Sequence, residues 1–369
     1  MIVNKLDQQM KDSMNKRVRT GLLMLVYGLI ILFCLTLSDK SSNGWAGYLQ
    51  LDAWVSFIFA VVSVLGIAWI TVFIAKELHY CFVGTNNKNQ IIFLAIIMLL
   101  IQLVPTFIWL YPNYFSVHHK LIWFLAFILS IVILPLIAVP FLYHMVKCGK
   151  KTTKFNKVML PLCVIGITLT FAGIYYLGIV RYWTTILILI TAVVACDITA
   201  YFAGVLFGKH KMAPVISPKK SWEGAIIGSI TAASIVILFV FLFSLIPYKE
   251  IQHVATGSMN VPYNFFGVQF QNHFDNTYLQ KAWWLIISII AISLTFFSIL
   301  GDLLFSWFKR KNHIKDFGSS LPGHGGYLDR IDSFVVVIAV FTIITFVISI
   351  GTTIYNHDNF HLIFPNWYK

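Results

Sequence analysis

Residues 158–180 read VMLPLCVIGITLTFAGIYYLGIV, an apolar run without a charged side chain. About 20 such residues form a helix long enough to cross a bilayer, because each residue rises about 1.5 Å. The other runs of this kind are 21–38, 52–75, 91–111, 121–144, 183–206, 224–247, 283–307 and 333–355. The sequence therefore predicts an all-α polytopic membrane protein with about nine transmembrane helices. Eight is the alternative, since only Arg181 and Tyr182 separate the run quoted above from the next one.

The composition of the 369-residue chain agrees with this architecture. Hydrophobic residues make up 59% of the chain and charged residues only 11%. A soluble globular domain is closer to a quarter charged, so an ordinary cytoplasmic fold is excluded. The five cysteines are scattered without paired spacing, which predicts neither a disulfide framework nor a zinc site.

The distribution of positive charge predicts the sidedness of the protein. Lys and Arg number 27 against 14 acidic residues, a formal charge of +13. In a nine-span arrangement, 21 of the 27 cations fall in the N-terminal tail and in every second connection after it. Cationic loops remain in the cytoplasm, so the N-terminus and these connections are predicted to be cytoplasmic. The first apolar run is interpreted as a retained anchor rather than a cleaved signal peptide.

Polar residues concentrate in two segments, 197–223 and 302–332, which this arrangement places on the same side of the membrane. In the first, Asp197 lies inside an apolar run, where a carboxylate costs at least about 2.5 kcal/mol and usually has a partner or a function. The stretch 217–224, SPKKSWEG, resembles a helix N-terminus with two lysines beside it, which is suited to an anion. A basic loop that only sets orientation is the alternative, as is simple helix packing for Asp197, Gly204 and Gly208.

The second segment combines acids, bases and glycines. Asp302, Ser306 and Lys309 share one helical face, and Asp329 and Asp332 share another. Grouped carboxylates suit a hard cation such as Mg²⁺ that also binds substrate phosphates. The glycine-rich turn at 321–326, LPGHGG, would let backbone approach a ligand closely. A functional anion and metal site is the favoured interpretation, with a solvated membrane-proximal loop as the alternative.

The 27-residue stretch 306–332, SWFKRKNHIKDFGSSLPGHGGYLDRID, resembles the signature of phosphatidate cytidylyltransferases, also called CDP-diacylglycerol synthases. Asp197 and the stretch 217–224 also look like that family, although Ser221 stands where Thr is more usual. The resemblance is confined to about 183–340. It divides the chain into an N-terminal hydrophobic region of about five spans, 1–182, and a catalytic region of about four, 183–369.

The resemblance implies Mg²⁺-dependent transfer of CMP from CTP to phosphatidate, giving CDP-diacylglycerol and pyrophosphate for phospholipid biosynthesis in the cell membrane. The partners it implies are CTP, phosphatidate and the bilayer, with no nucleic acid and a homodimer as a candidate assembly. The residues expected to bind metal are Asp302, Asp329 and Asp332. Those expected to bind phosphate are Lys219, Lys220, Arg310, Gly325, Gly326 and Arg330. Those expected to be catalytic are Ser306, Lys309, Lys315, Asp316 and His324, with Asp197, Ser221 and Glu223 in support.

Two other functions compete with this interpretation. A CTP-dependent polyprenol or phytol kinase is related and membrane-embedded, but the full signature argues against it. A secondary transporter or lipid flippase would also have many spans and an intramembrane acid. Transporters place polar residues near the midplane of several spans, whereas here they crowd toward one face of the membrane.

Overall fold

The structure is a computed structural model that describes residues 2–38, 52–114, 120–180, 183–244, 277–323 and 325–355. Within these ranges the chain forms nine α-helices and one β-hairpin. The helices are α1 (Ile2–Ser38), α2 (Ala53–Phe82), α3 (Lys88–Tyr114), α4 (Lys120–Lys147), α5 (Lys154–Val180), α6 (Trp183–Phe207), α7 (Trp222–Ser244), α8 (Thr277–Lys311) and α9 (Leu328–Tyr355). The strands are β1 (Lys211–Ala213) and β2 (Ser217–Ser221), which pair antiparallel between α6 and α7.

The helices confirm an all-α polytopic membrane protein. In the part of the chain that the structure describes, seven helices are long and apolar enough to cross a membrane: α1, α2, α3, α5, α6, α7 and α8. The predicted runs 121–144 and 333–355 fall within α4 and α9, so a total of nine spans stays a prediction. All five cysteines are free thiols.

Helix α5, which contains the run 158–180, lies at the centre of the bundle. It packs against α1, α2, α3, α4, α6 and α9. A helix that is apolar on every side can be surrounded by other helices, which explains why α5 lies at the centre. Its Tyr175 is buried, and the phenol donates a hydrogen bond to the Ser63 carbonyl of α2 (3.2 Å). The central helix therefore joins the two halves of the chain into one bundle.

Small residues let α6 and α7 pack closely. A Cβ added to Gly228 would lie 2.6 Å from the Cβ of Ala200, and one added to Gly224 would lie 2.9 Å from the Cα of Gly204. A Cβ on Gly208 would lie 2.6 Å from the Ser221 hydroxyl oxygen. The packing interpretation of Gly204 is confirmed, since close helix approach requires small side chains. Gly208 lies one residue beyond α6 and approaches Ser221 of β2.

The two polar segments lie at the same end of the bundle. The Arg310 side chain at the end of α8 donates from Nε to the Ile216 carbonyl in the hairpin connection (3.2 Å). The Thr20 hydroxyl of α1 donates to the Pro322 carbonyl in the connection between α8 and α9 (3.1 Å). The N-terminal part of α1 near Thr20, the hairpin and the α8–α9 connection thus share one face, as the alternation of positive charge predicts. We call this end of the bundle the site face.

Candidate active site

The β-hairpin brings the first polar segment into contact with the second. Lys220 of β2 lies with its Nζ 2.6 Å from Oδ2 of Asp302 on α8, and both side chains are partly exposed. The other carboxylate oxygen of Asp302 accepts a hydrogen bond from the Ser306 hydroxyl (3.2 Å). The predicted face with Asp302 and Ser306 is therefore present, and Lys220 is its partner. The hairpin itself was not predicted, because its strands are short and polar and lack alternating apolar residues.

Three carboxylates from three helices interact electrostatically near this contact. Asp197 of α6 and Asp332 of α9 both interact with Asp302. Lys220 offsets part of the charge at Asp197, and Lys309 offsets part of the charge at Asp332. Ionised carboxylates that lie close together repel each other unless a cation binds between them. In the ranges that the structure covers, however, no three acidic, His or Cys side chains already stand in a metal-holding arrangement. The metal ligands therefore stay a prediction.

A buried ion pair joins the end of α8 to the start of α9. Lys309 Nζ lies 2.8 Å from Oδ1 of Asp329, and the two side chains are only 11% and 5% exposed. The second oxygen of Asp329, Oδ2, accepts hydrogen bonds from the backbone N–H of Phe317 (2.9 Å) and of Gly326 (3.0 Å). In this arrangement Asp329 organises the connecting loop, 312–327. The predicted contact of Lys309 with a phosphate stays a prediction.

The glycines of that loop allow close approach by carboxylates of the protein itself. Gly325 has a positive φ of 86°, which favours glycine. A Cβ on Gly325 would lie 3.1 Å from Asp329 Oδ2, and one on Gly326 would lie 2.6 Å from Oε2 of Glu77. The close approach expected of these two glycines is thus made by Asp329 and Glu77. Their predicted contact with substrate phosphate is not tested by this geometry.

Glu77 is the main residue at this face that sequence reasoning missed. It lies on α2, is 2% exposed, and accepts three hydrogen bonds, two from the loop between α8 and α9 and one from the first residue of α9. The predicted second apolar run ends at residue 75 and leaves Glu77 in a connection, whereas α2 continues to Phe82. A useful signal was present, because Glu77 is a lone acid at the end of a long apolar run, as Asp197 is within another.

Two of the predicted supporting residues stabilise the hairpin and the helix that follows it. The Ser221 hydroxyl accepts a hydrogen bond from the Gly224 N–H (3.2 Å), so it caps α7 and confirms the predicted helix start. Glu223 accepts from the backbone N–H of Lys209 (3.1 Å) and of His210 (3.2 Å). Its Oε1 also lies 2.6 Å from Nδ1 of His210. Glu223 thereby holds the turn between α6 and β1.

The remaining predicted residues lie in exposed positions of the two polar segments. The exposed residues are Lys219, Arg310, Lys315, Asp316 and Arg330. His324 lies outside the residues that the structure describes. The exposed cations are accessible to anionic ligands at the site face.

Comparisons with known proteins agree on one family. A model of the cytidylyltransferase family matches residues 15–348. A Mycoplasma pneumoniae protein provisionally described as a phosphatidate cytidylyltransferase is 30% identical over 306 residues, which is 78% of this chain and 75% of that protein. The phosphatidate cytidylyltransferase of Haemophilus influenzae is 37% identical over 40% of this chain and 41% of its own length. That of Staphylococcus saprophyticus is 35% identical over 52% and 61%.

Proposed function

The chain belongs to the phosphatidate cytidylyltransferase family of enzymes, and we propose that it transfers CMP from CTP to phosphatidate, giving CDP-diacylglycerol and pyrophosphate. The names of its relatives supply the substrate class. The match over residues 15–348 includes both polar segments. The proposal therefore rests on the family and on the chemistry of the site face together.

One contact supports this proposal more than any other: the 2.6 Å approach of Lys220 to Asp302. It joins a basic segment to a group of carboxylates, and both proposed substrates are anions. A lysine beside acids gives a place where phosphate and a cation can bind next to each other. A basic loop that only set the orientation of the protein in the membrane would not require this contact.

The reaction demands positioning and charge compensation rather than a strong base. An anionic phosphate oxygen of phosphatidate forms a bond to the α-phosphorus of CTP, while the bond from that phosphorus to the bridging oxygen breaks and pyrophosphate leaves. The attacking oxygen is already ionised, so the barrier comes mainly from bringing two anions together. We assign Lys219, Lys220, Arg310, Lys315 and Arg330 to the phosphates of the two substrates, where they offset charge.

We propose Mg²⁺ as the cofactor, held by Asp302 and Asp332. Their carboxylate oxygens are the ligands that Mg²⁺ prefers, and both acids interact electrostatically with Asp197, so a divalent cation would offset the repulsion among the three. Bound there, the ion would neutralise charge on the triphosphate. Asp329 is the third candidate ligand, and a metal there would compete with Lys309 for Oδ1, because Lys309 and two backbone N–H groups already occupy three of its acceptor sites.

We further propose that the site face is cytoplasmic. The chain is a multi-pass membrane protein, and its cations are concentrated in the tail and connections assigned to that side. CTP is a cytoplasmic nucleotide, and phosphatidate can present its head group at the same membrane surface. An orientation of this kind follows the bias of Lys and Arg toward cytoplasmic loops.

Pyrophosphate release tests the reaction and separates it from its rivals. Purified protein in detergent micelles is incubated with CTP and Mg²⁺, with and without phosphatidate. We expect pyrophosphate that depends on phosphatidate and appears in proportion to the lipid consumed. A kinase would release CDP without pyrophosphate, and a transporter would consume no CTP in a sample without a sealed compartment. Either result would overturn the proposed function.

A further inference from the structure

Helix α9 begins with its first backbone amides bonded to a carboxylate from a different helix. The N–H groups of Tyr327 and Leu328 donate to Oε1 and Oε2 of Glu77, each at 2.9 Å. The first amides of a helix have no partner inside the helix, so they need one from elsewhere. A negative charge there also interacts favourably with the helix dipole. Glu77 of α2 therefore caps α9 from about 250 residues away in the sequence.

The loop before α9 is shaped around the same carboxylate. Glu77 is 2% exposed and accepts a third hydrogen bond, from the Ser320 hydroxyl (2.9 Å). A Cβ on Gly318 would lie 3.0 Å from the Glu77 side chain, and one on Gly326 would lie 2.6 Å from it. A buried carboxylate is costly unless donors satisfy it, and the Ser320 hydroxyl and the N–H groups of Tyr327 and Leu328 do so.

Helix α9 carries two of the acids assigned to the site, Asp329 and Asp332. Asp332 interacts with Asp302, and Asp329 pairs with Lys309. Both relationships depend on where the first turn of α9 stands, and Glu77 holds that turn. We propose that Glu77 is a positioning residue, through which the N-terminal half of the chain sets the geometry of the phosphate-transfer site. This inference rests on the proposed function.

The test uses Glu77→Gln in the full-length protein, purified in detergent. Glutamine keeps the size of the side chain but puts an NH₂ donor against a backbone N–H donor. Asp52→Asn is the matched control, because Asp52 stands at the opposite end of the same helix, is exposed, and makes no side-chain cap bond. Hydrogen exchange at the Tyr327 and Leu328 amides is measured together with kcat and KM.

For Glu77→Gln we expect faster exchange at both amides and a fall in kcat of about tenfold to a hundredfold per folded molecule, the scale of a small misplacement of reacting groups. The KM for CTP should change less than kcat. A residue that only supports folding would lower the yield of folded protein and leave kcat unchanged. Asp52→Asn should match the wild type in both measurements. Wild-type exchange or wild-type kcat in Glu77→Gln overturns the proposal.

A second variant serves if Glu77→Gln does not fold. Ser320→Ala removes one donor and leaves the charge and both backbone bonds in place. We expect about a fivefold loss of kcat, on the order of one hydrogen bond, with faster exchange at Tyr327. An unchanged kcat, or an unchanged exchange rate at Tyr327, overturns the proposal. If the wild type makes no CDP-diacylglycerol, the proposed function fails, whereas the exchange measurement still decides whether Glu77 holds α9.

Discussion

Replacing Lys309 by methionine removes the cation from the most deeply buried ion pair among the described residues. Lys309 Nζ and Asp329 Oδ1 are 2.8 Å apart, with side chains 11% and 5% exposed. Methionine preserves most of the length of the side chain, so the main change is loss of the charge. Asp329 is then left as a buried carboxylate with only the N–H groups of Phe317 and Gly326 as partners.

The expected cost follows from this geometry. Removing one partner of a buried ion pair destabilises a protein by about 3–5 kcal/mol, because the other charge stays buried without compensation. Two backbone donors remain on Asp329, so we expect the lower end, about 3 kcal/mol in the free energy of unfolding. Adding Asp329→Asn removes the stranded charge. The double variant should therefore recover at least about 1 kcal/mol relative to Lys309→Met alone.

The assay is unfolding in mixed micelles by titration with a denaturing detergent, followed by tryptophan fluorescence, with CMP transfer measured on the same samples. Lys150→Met is the matched control, because Lys150 is exposed in the connection between α4 and α5. It should shift the unfolding free energy by less than about 0.5 kcal/mol and leave the rate nearly unchanged. Lys309→Met should lose most of its activity. A single variant as stable as the wild type, or a double variant no more stable than the single, would refute the reasoning.

Three further substitutions test separate parts of the site. Asp302→Asn should abolish turnover and leave membrane insertion intact. Near-normal rates at saturating Mg²⁺ would contradict the assignment of Asp302 as a metal ligand. Gly326→Ala should destabilise the protein by about 1–3 kcal/mol, since its Cβ would lie 2.6 Å from the Glu77 carboxylate; an unchanged melting temperature would argue against the contact. Ser221→Ala should cost about 1 kcal/mol through loss of the α7 cap, measured by the same detergent titration, and no loss would mean that Gly224 finds another acceptor.

Local spacing predicted the helices and the contacts within a few residues of one another. The run 158–180 became α5, and Asp302 and Ser306 share a helical face as predicted, where the Ser306 hydroxyl donates to Asp302. The cap at Ser221 also follows from nearby residues alone. These features depend on helical periodicity and on hydrogen bonds along the chain, both of which a sequence displays directly.

Contacts between distant segments could be predicted only in part. Alternation of positive charge correctly placed the two polar segments at one face, but it could not pair Lys220 with Asp302. Lys309 was assigned to the Asp302 face by spacing, yet its ammonium lies with Asp329, twenty residues away. Glu77 was missed because its three partners lie some 250 residues later, in the α8–α9 loop and at the start of α9, and nothing near residue 77 reveals them.

The most direct test of the proposed reaction is the fate of the α-phosphate of CTP. Purified protein is incubated with phosphatidate, Mg²⁺ and CTP labelled in the α-phosphate, and the lipid is extracted and counted. The proposal predicts that label enters the lipid as CDP-diacylglycerol, only when phosphatidate is present, and that Lys150→Met does the same while Asp302→Asn does not. Label that stays in water-soluble CTP or CDP would contradict it.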